Sequence, residues 1–447
     1  MFKSTNGGTS WSQSNSGLAA TSVSALAIDP EDPNAIYGVV QGDVFKETRG
    51  STGWAHGGML AGWVIGLAIH PQDSNTLYAA AESSYRGGGG VFKSTDRGAN
   101  WNPANSGLPA LQSVPFSITP AYTVAFDPQD ANTLYAGIVN FQNPGVYKST
   151  NGGANWSAAA GSGLPKTWFA VISFVFDPRS ASTVYAVLYD EWEDNAEDVH
   201  VGIYKSTDSG ESWNAVNDGL PPTPWGYVWV NALTIDPKNP DTLYAATNNS
   251  GVFKSKNGGA SWSPANSGLT EGISSLAIDP LNPNTLYAGT WDHGVFKSTD
   301  AGSTWNAVNS GLTTLSVRSL VMDPKDSTRL YAGTDGGGVF AITFVPDLVV
   351  TELRFDRTSV VSGGSFSVNI TGPDLTTQTF FDVRFSGPGG SASQVALNWQ
   401  KGTSASHNVS LDVAPGTWIV NGVRAHEAEA DHTASFVPVS AAITVSR

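Results

Sequence analysis

The residues able to do chemistry in this 447-residue chain are acids and flat aromatics, and they crowd into the same few segments. LYDEWEDNAEDVH (188–200) carries Asp190, Glu191, Trp192, Glu193 and Asp194, and TWDHG (290–294) carries Trp291, Asp292 and His293. PKTWFAV (165–171) holds Trp168, PPTPWGYVWV (221–230) holds Trp225, Tyr227 and Trp229, and ESSYRGGGG (82–90) holds Tyr85. Trp63 heads a short apolar run. Aromatic rings stack on the apolar face of a sugar while carboxylates accept its hydroxyls, so this pairing is the chemistry of glycan recognition. Aromatics also form small cores for long loops, and acids also keep a rim soluble; both readings stay open.

Other chemistries fit less well. Glycoside hydrolysis needs two carboxyls about 5 to 9.5 Å apart across the scissile bond. Asp190, Glu191, Asp292 and Asp335, the last in YAGTDGGGVF (331–340), are candidates of the right type, but no spacing pairs them. The acidic loop has oxygen ligands for Ca²⁺ without the D-x-[DN]-x-[DN]-G spacing of an EF-hand, and a solvated loop is the expectation, with no cofactor. In RAHEAEADH (424–432), strand alternation splits His426, Glu427, Glu429, Asp431 and His432 between two faces. Ser-His-Asp signatures and phosphate-cradling loops are missing, and RGGGG and DGGG read as turns.

Composition narrows the field. Lys and Arg number 23 against 38 Asp and Glu, a net charge of -15, which argues against nucleic acid and anionic membranes. With no cysteine there are no disulfides and no thiol chemistry, so no reducing compartment is needed. Because no run of about 18 apolar residues occurs, no membrane-inserted helix is expected. FKST follows Met1 directly, which reads as a repeat already in progress with no signal peptide, as if the start were trimmed.

The elements that must position these residues repeat. A short alternating strand ends in Asp-Pro at Asp29, Asp127, Asp177, Asp236, Asp279 and Asp323, with His70 replacing Asp once. A second strand carries Tyr37, Tyr78, Tyr135, Tyr185, Tyr244, Tyr287 and Tyr331. A third, of the VFKS type, runs into a Gly-bearing turn, and a Trp opens the fourth: Trp11, Trp54, Trp101, Trp156, Trp213, Trp262 and Trp305. This period, with strand alternation throughout, predicts an all-β fold: a seven-bladed β-propeller over residues 1–345. The strand after Trp11 is expected to complete the blade formed by residues 317–344. Short Gly- and Pro-punctuated strands in 346–447 predict a C-terminal β-sandwich.

The turn Ser-x-Asp-x-Gly-x-x-Trp is complete in STDRGANW (94–101), STDSGESW (206–213) and STDAGSTW (298–305). Asn replaces Asp in STNGGTSW (4–11), STNGGANW (149–156) and SKNGGASW (255–262), and ETRGSTGW (47–54) is degenerate. The motif resembles the Asp-box of the BNR-repeat propellers, a family of sialidases, xyloglucanases, sortilin-type receptors and photosystem II stability and assembly factors. The resemblance implies that the boxes are structural turns away from any ligand, and that function sits in the variable loops of the opposite face. It makes Asp335 the match of a catalytic Asp of xyloglucanases, although Gly333 stands where an Arg usually precedes it and those enzymes add a second propeller. Sialidase chemistry is disfavoured: Arg49, Arg86, Arg97, Arg179, Arg318 and Arg329 lack the Arg-Ile-Pro motif of that branch. The stretch from Pro346 resembles bacterial cell-adhesion-related Ig-like modules.

The expectation is therefore an extracellular or cell-surface bacterial propeller that binds a glycan or polysaccharide, with the sandwich as spacer or anchor. The aromatic set is Trp63, Tyr85, Trp168, Trp192, Trp225, Tyr227, Trp229 and Trp291, with His293 beside it. A glycoside hydrolase or lyase using acids of the same face is one alternative. A scaffold gripping a protein partner is another.

Overall fold

The computed structural model describes residues 10–343, except 19, 50, 52, 59, 61, 83–87, 110–119, 140–144, 160–161, 166–168, 190–200 and 223–227. Beyond them it describes the backbone of strands between 352 and 446. No helix occurs among the described residues.

Seven four-stranded antiparallel sheets form a seven-bladed β-propeller. The innermost strands of blades 1 to 7 are Val23–Ile28, Trp63–Ile69, Ala121–Asp127, Ala170–Phe176, Val230–Ile235, Ile273–Ile278 and Val317–Met322. Each second strand is covered on both sides by neighbouring blades, which is why it reads as an unbroken apolar run: every residue of Ala35–Val40 and of Leu243–Thr247 is buried. Ser12–Gln13 pairs with Gly338–Thr343 (Ser12 opposite Ala341, Gln13 opposite Phe340), so the earliest strand closes blade 7, as its sequence implies.

The repeated turn is a clasp. Asp96 Oδ1 accepts the Asn100 N–H and the Ser94 hydroxyl, both at 2.8 Å, and Ser94 Oγ accepts the Gly98 N–H at 2.9 Å. Gly98 sits at φ +85°, a conformation open to glycine at little cost. Asn151 and Asn257 accept the equivalent N–H through Oδ1 at 2.9 Å, so Asn can stand in for Asp because the contacts common to all these turns use a single acceptor oxygen.

Several of these turns then grip the preceding blade through the Trp indole, although Trp213 bonds the Gly210 carbonyl of its own turn. Trp156, Trp262 and Trp305 donate their indole N–H to Ala104, Val216 and Ala265 carbonyls at 2.8, 2.8 and 2.9 Å. From the preceding blades, Tyr135, Tyr185 and Tyr244 donate to turn carbonyls of Ser209, Gly258 and Ala301 at 3.1, 3.0 and 3.2 Å. Lys148, Lys205 and Lys254 cover those rings at 5.3, 5.2 and 5.0 Å and donate to the same three carbonyls.

The Asp-Pro turns are also stitched between blades. Asp29 Oδ1 accepts the Glu31 and Asp32 N–H groups and the Ser74 hydroxyl of blade 2. His70 replaces Asp by accepting the Gln72 N–H through Nδ1 at 3.1 Å. Strand alternation puts the Asp-Pro and Ser/Asp turns on one face. The loops between second and third strands and the connections between blades therefore share the opposite face.

The chain divides into two units, Ser10–Ile342 with a second that takes Thr343–Arg447. In the second, Glu352–Phe355, Ser365–Leu375 and Gly402–Ser410 make one sheet. Ser359–Val361, Ala441–Ser446, Gly416–His426, Thr379–Ser386 and Ala392–Trp399 make another.

Candidate binding site on the variable-loop face

Three of the loops that follow second strands are built alike. A Thr ends the strand and its hydroxyl closes the loop onto a glycine carbonyl: Thr247 to Gly251 at 2.9 Å, Thr290 to Gly294 at 2.9 Å and Thr334 to Gly338 at 2.7 Å. The residue just after that Thr is thereby held at the face: Asn248 in blade 5, Trp291 in blade 6 and Asp335 in blade 7. Backbone bonds to the strand entrance fix all three, from Asn248, Trp291 and Asp335 N–H to Trp229, Gly272 and Ser316 carbonyls.

Two of these residues meet through a third. Arg318, near the start of the innermost strand of blade 7, lays its guanidinium 5.6 Å from the Trp291 ring centre and donates to Asp335 Oδ2 at 2.5 Å. Ser22, where the chain enters blade 1, donates to Asp335 Oδ1 at 2.7 Å. Both carboxylate oxygens are thus engaged by donors from different segments. The Arg318 hydrogen bond, then that of Ser22, holds the Asp335 carboxyl below the usual range. An acid held ionised accepts hydrogen bonds or takes a proton, and is a poor proton donor. The indole remains 40% exposed, so an aromatic surface, a guanidinium and a carboxylate stand side by side in reach of solvent.

Next to Trp291, Asp292 Oδ1 and His293 Nδ1 lie 2.5 Å apart, with both side chains mostly exposed. The His293 backbone N–H is tied to Thr290 Oγ1 at 2.9 Å. The other two described tryptophans of the face stand at other seams. Trp63, 47% exposed, lies directly on Gly42 of blade 1, where a Cβ would come within 2.5 Å of the indole. Trp229 is half-buried against Tyr189 of blade 4, ring centres 5.4 Å apart. Trp63, Trp229 and Trp291 therefore share a face but occupy three separate seams between blades. Tyr85, Trp168, Asp190, Glu191, Trp192, Trp225 and Tyr227 lie outside the described residues, as does the acidic loop weighed for Ca²⁺. Among the described residues no group of three or more His, Asp or Glu is placed to hold a metal.

Sequence reasoning found Trp291 and Asp335 separately and missed what joins them. Arg318 and Ser22 are 17 and 313 residues from Asp335 and belong to no motif; the one available signal was an Arg in a strand position filled by uncharged residues in the other six blades.

No protein-family model matches the chain. It is 26% identical over 259 residues to a xyloglucanase of Paenibacillus sp, a match covering 51% of this chain and 24% of that enzyme. Among solved structures it is similar to the GH74 enzyme of Niastella koreensis, with TM-score 0.55 and 19% identity over 95% of this chain and 68% of that one. It is also similar to the GH74 xyloglucanase of Xanthomonas campestris, with TM-score 0.53 and 19% identity over 81% and 60%. The chain thus matches about a quarter of the length of the curated enzyme, and the structural likeness is one of fold.

Proposed function

We propose that this propeller binds a polysaccharide on its variable-loop face, at a site centred on Trp291, Arg318 and Asp335. The carrying observation is the convergence of these three side chains, an exposed indole beside a charged donor and acceptor, which matches a sugar's apolar face and hydroxyl edge. The similarity to xyloglucanases supports xyloglucan as the first polysaccharide to try. In this reading the protein acts outside the cell, and the two C-terminal sheets pack as an Ig-like sandwich that serves as spacer or anchor.

A hydrolytic reading keeps the same site. Asp335, held ionised, would serve as base, and a second carboxyl about 5 to 9.5 Å away would have to supply the proton. Isothermal titration with xyloglucan, run beside a reducing-end assay on the same material, separates the two. Binding without new reducing ends supports the binding module. Release of ends that stops in Asp335→Asn supports the enzyme, and no interaction removes both for this polysaccharide.

A further inference from the structure

Every innermost strand of the propeller carries a β-bulge at the same step. The register against the second strand jumps between Val23 and Ala25, Val64 and Gly66, Ala121 and Thr123, and Val171 and Ser173. It jumps again between Val230 and Ala232, Ile273 and Ser275, and Val317 and Ser319. A bulge leaves one residue outside the ladder and re-aims its side chain. The residue before each bulge is buried to 1% exposure or less, packed between blades. The bulged residues differ: Ser24 and Arg318 are exposed, Ile65, Tyr122, Ile172 and Asn231 are half-buried, and Ser274 is buried.

All seven stand near the starts of innermost strands, at the variable-loop end of the central channel, and their chemistry is not scattered. Blades 2, 3 and 4 contribute Ile65, Tyr122 and Ile172, an unbroken arc of large side chains with apolar bodies. Blades 5, 6, 7 and 1 contribute Asn231, Ser274, Arg318 and Ser24, an unbroken polar arc. On that arc Asn231 Nδ2 reaches the Ile273 carbonyl at 2.8 Å and Ser274 Oγ the Val317 carbonyl at 2.5 Å, which fixes the rim of one blade to the next. Arg318 joins the ring to Trp291 and Asp335.

We propose that this two-sided ring is a subsite of its own, which seats the terminal sugar of a polysaccharide over the channel mouth. Its apolar face lies toward Ile65, Tyr122 and Ile172, and its hydroxyls toward Asn231, Arg318 and Ser24. A closed ring of inner strands gives an end-on ligand somewhere to stop and gives a continuing chain nowhere to go. The subsite rests on the polysaccharide reading of the loop face and adds to it that chain ends are recognised.

The test uses the full chain with two probes, polymeric xyloglucan and its heptasaccharide, and three variants: Ser24→Leu, Ile172→Thr and Trp291→Ala. Ser24 is exposed and Thr keeps the β-branch of Ile172, so melting temperatures are measured to confirm that both ring variants fold. Expected are one binding event per chain end on the polymer and at least about tenfold weaker heptasaccharide binding in each ring variant, a loss that only a minority of contact residues produce. Many binding events along each polymer chain overturn the proposal. So do ring variants that bind the heptasaccharide like the parent while Trp291→Ala is weakened, and that result leaves the loop-face reading standing. If the parent binds neither probe, the loop-face reading fails for this polysaccharide and the subsite with it.

Discussion

Asp335 is held by donors from two directions, and that arrangement makes its state measurable. In Arg318→Gln the carboxyl should titrate closer to the ordinary Asp value, because the guanidinium hydrogen bond is the largest influence lowering it. Carboxyl-selective NMR titration of the two proteins reads this directly, and an unmoved titration would show that Arg318 does not hold the acid. Trp291 offers the complementary case. With 40% of its surface in solvent it has less packing to lose than a fully buried indole, so Trp291→Ala should lower the melting temperature less than Trp262→Ala while weakening polysaccharide binding by about 1 to 3 kcal/mol. A large fall in melting temperature with intact binding would reassign it to loop packing. The aromatic and the acid were visible in the sequence as types; their connection through Arg318 was not, since nothing local marks a strand residue that reaches two blades at once.

At the scale of the turn, the seven repeats are chemically alike but not equally stressed. Trp262 is 6% exposed and donates to Val216, whereas Trp101 is half-buried and its indole N–H has no hydrogen-bond partner. Trp262→Ala should therefore cost about 3 to 5 kcal/mol, as expected for deleting a buried aromatic. Trp101→Ala should cost less, although their sequences predict the same. Urea denaturation of both variants checks the order, and equal losses would mean that burial does not set the cost. Gly107 makes a sharper case: it sits at φ +85°, and a Cβ there would lie 2.0 Å from the Trp156 carbonyl oxygen of the next blade. Gly107→Ala should cost more than about 1 kcal/mol, through both strain and collision. The NSGL stretch around Gly107 recurs at 15–18, 266–269 and 309–312, but the reason for its glycine, the close approach of a neighbouring blade, is not local to the sequence.

Across the whole molecule the buried phenols and hydrogen-bonded carboxylates predict a loss of stability at both ends of the pH scale. Burial raises the phenols of Tyr37, Tyr135, Tyr185 and Tyr244, so the folded chain keeps those protons where the unfolded chain loses them. Their contribution is complete below about pH 10 and is lost as pH climbs past it. Lys46 and Lys254, lowered by burial, act in the opposite sense but are fewer. At the acid end, hydrogen bonds from Thr76, Thr133 and Ser212 lower Asp73, Asp130 and Asp208, the last to about 2. Folded carboxylates of this kind bind fewer protons than unfolded ones, so stability is complete above about pH 4 and falls below it. Urea midpoints should be flat near neutrality and decline beyond both limits; a flat profile through pH 11 would remove the buried tyrosines from the balance. Ring closure is testable as well. Trp11 is 3% exposed and donates to the Val308 carbonyl, and the segment after it binds the Asp335 loop through Gln13 and Asn15 to Gly337. Trp11→Ala should lower stability and weaken binding together, which differential scanning calorimetry and titration would show. The sequence by itself determined the strand order, the number of blades and the partner of the first strand, because period-two alternation and glycine turns are local properties written once per repeat. Only the tertiary structure decided the Lys–Tyr clasp, the bulge ring and the joining of Trp291 to Asp335. Those contacts run between blades, and a one-residue bulge leaves no mark in a pattern read along a single strand.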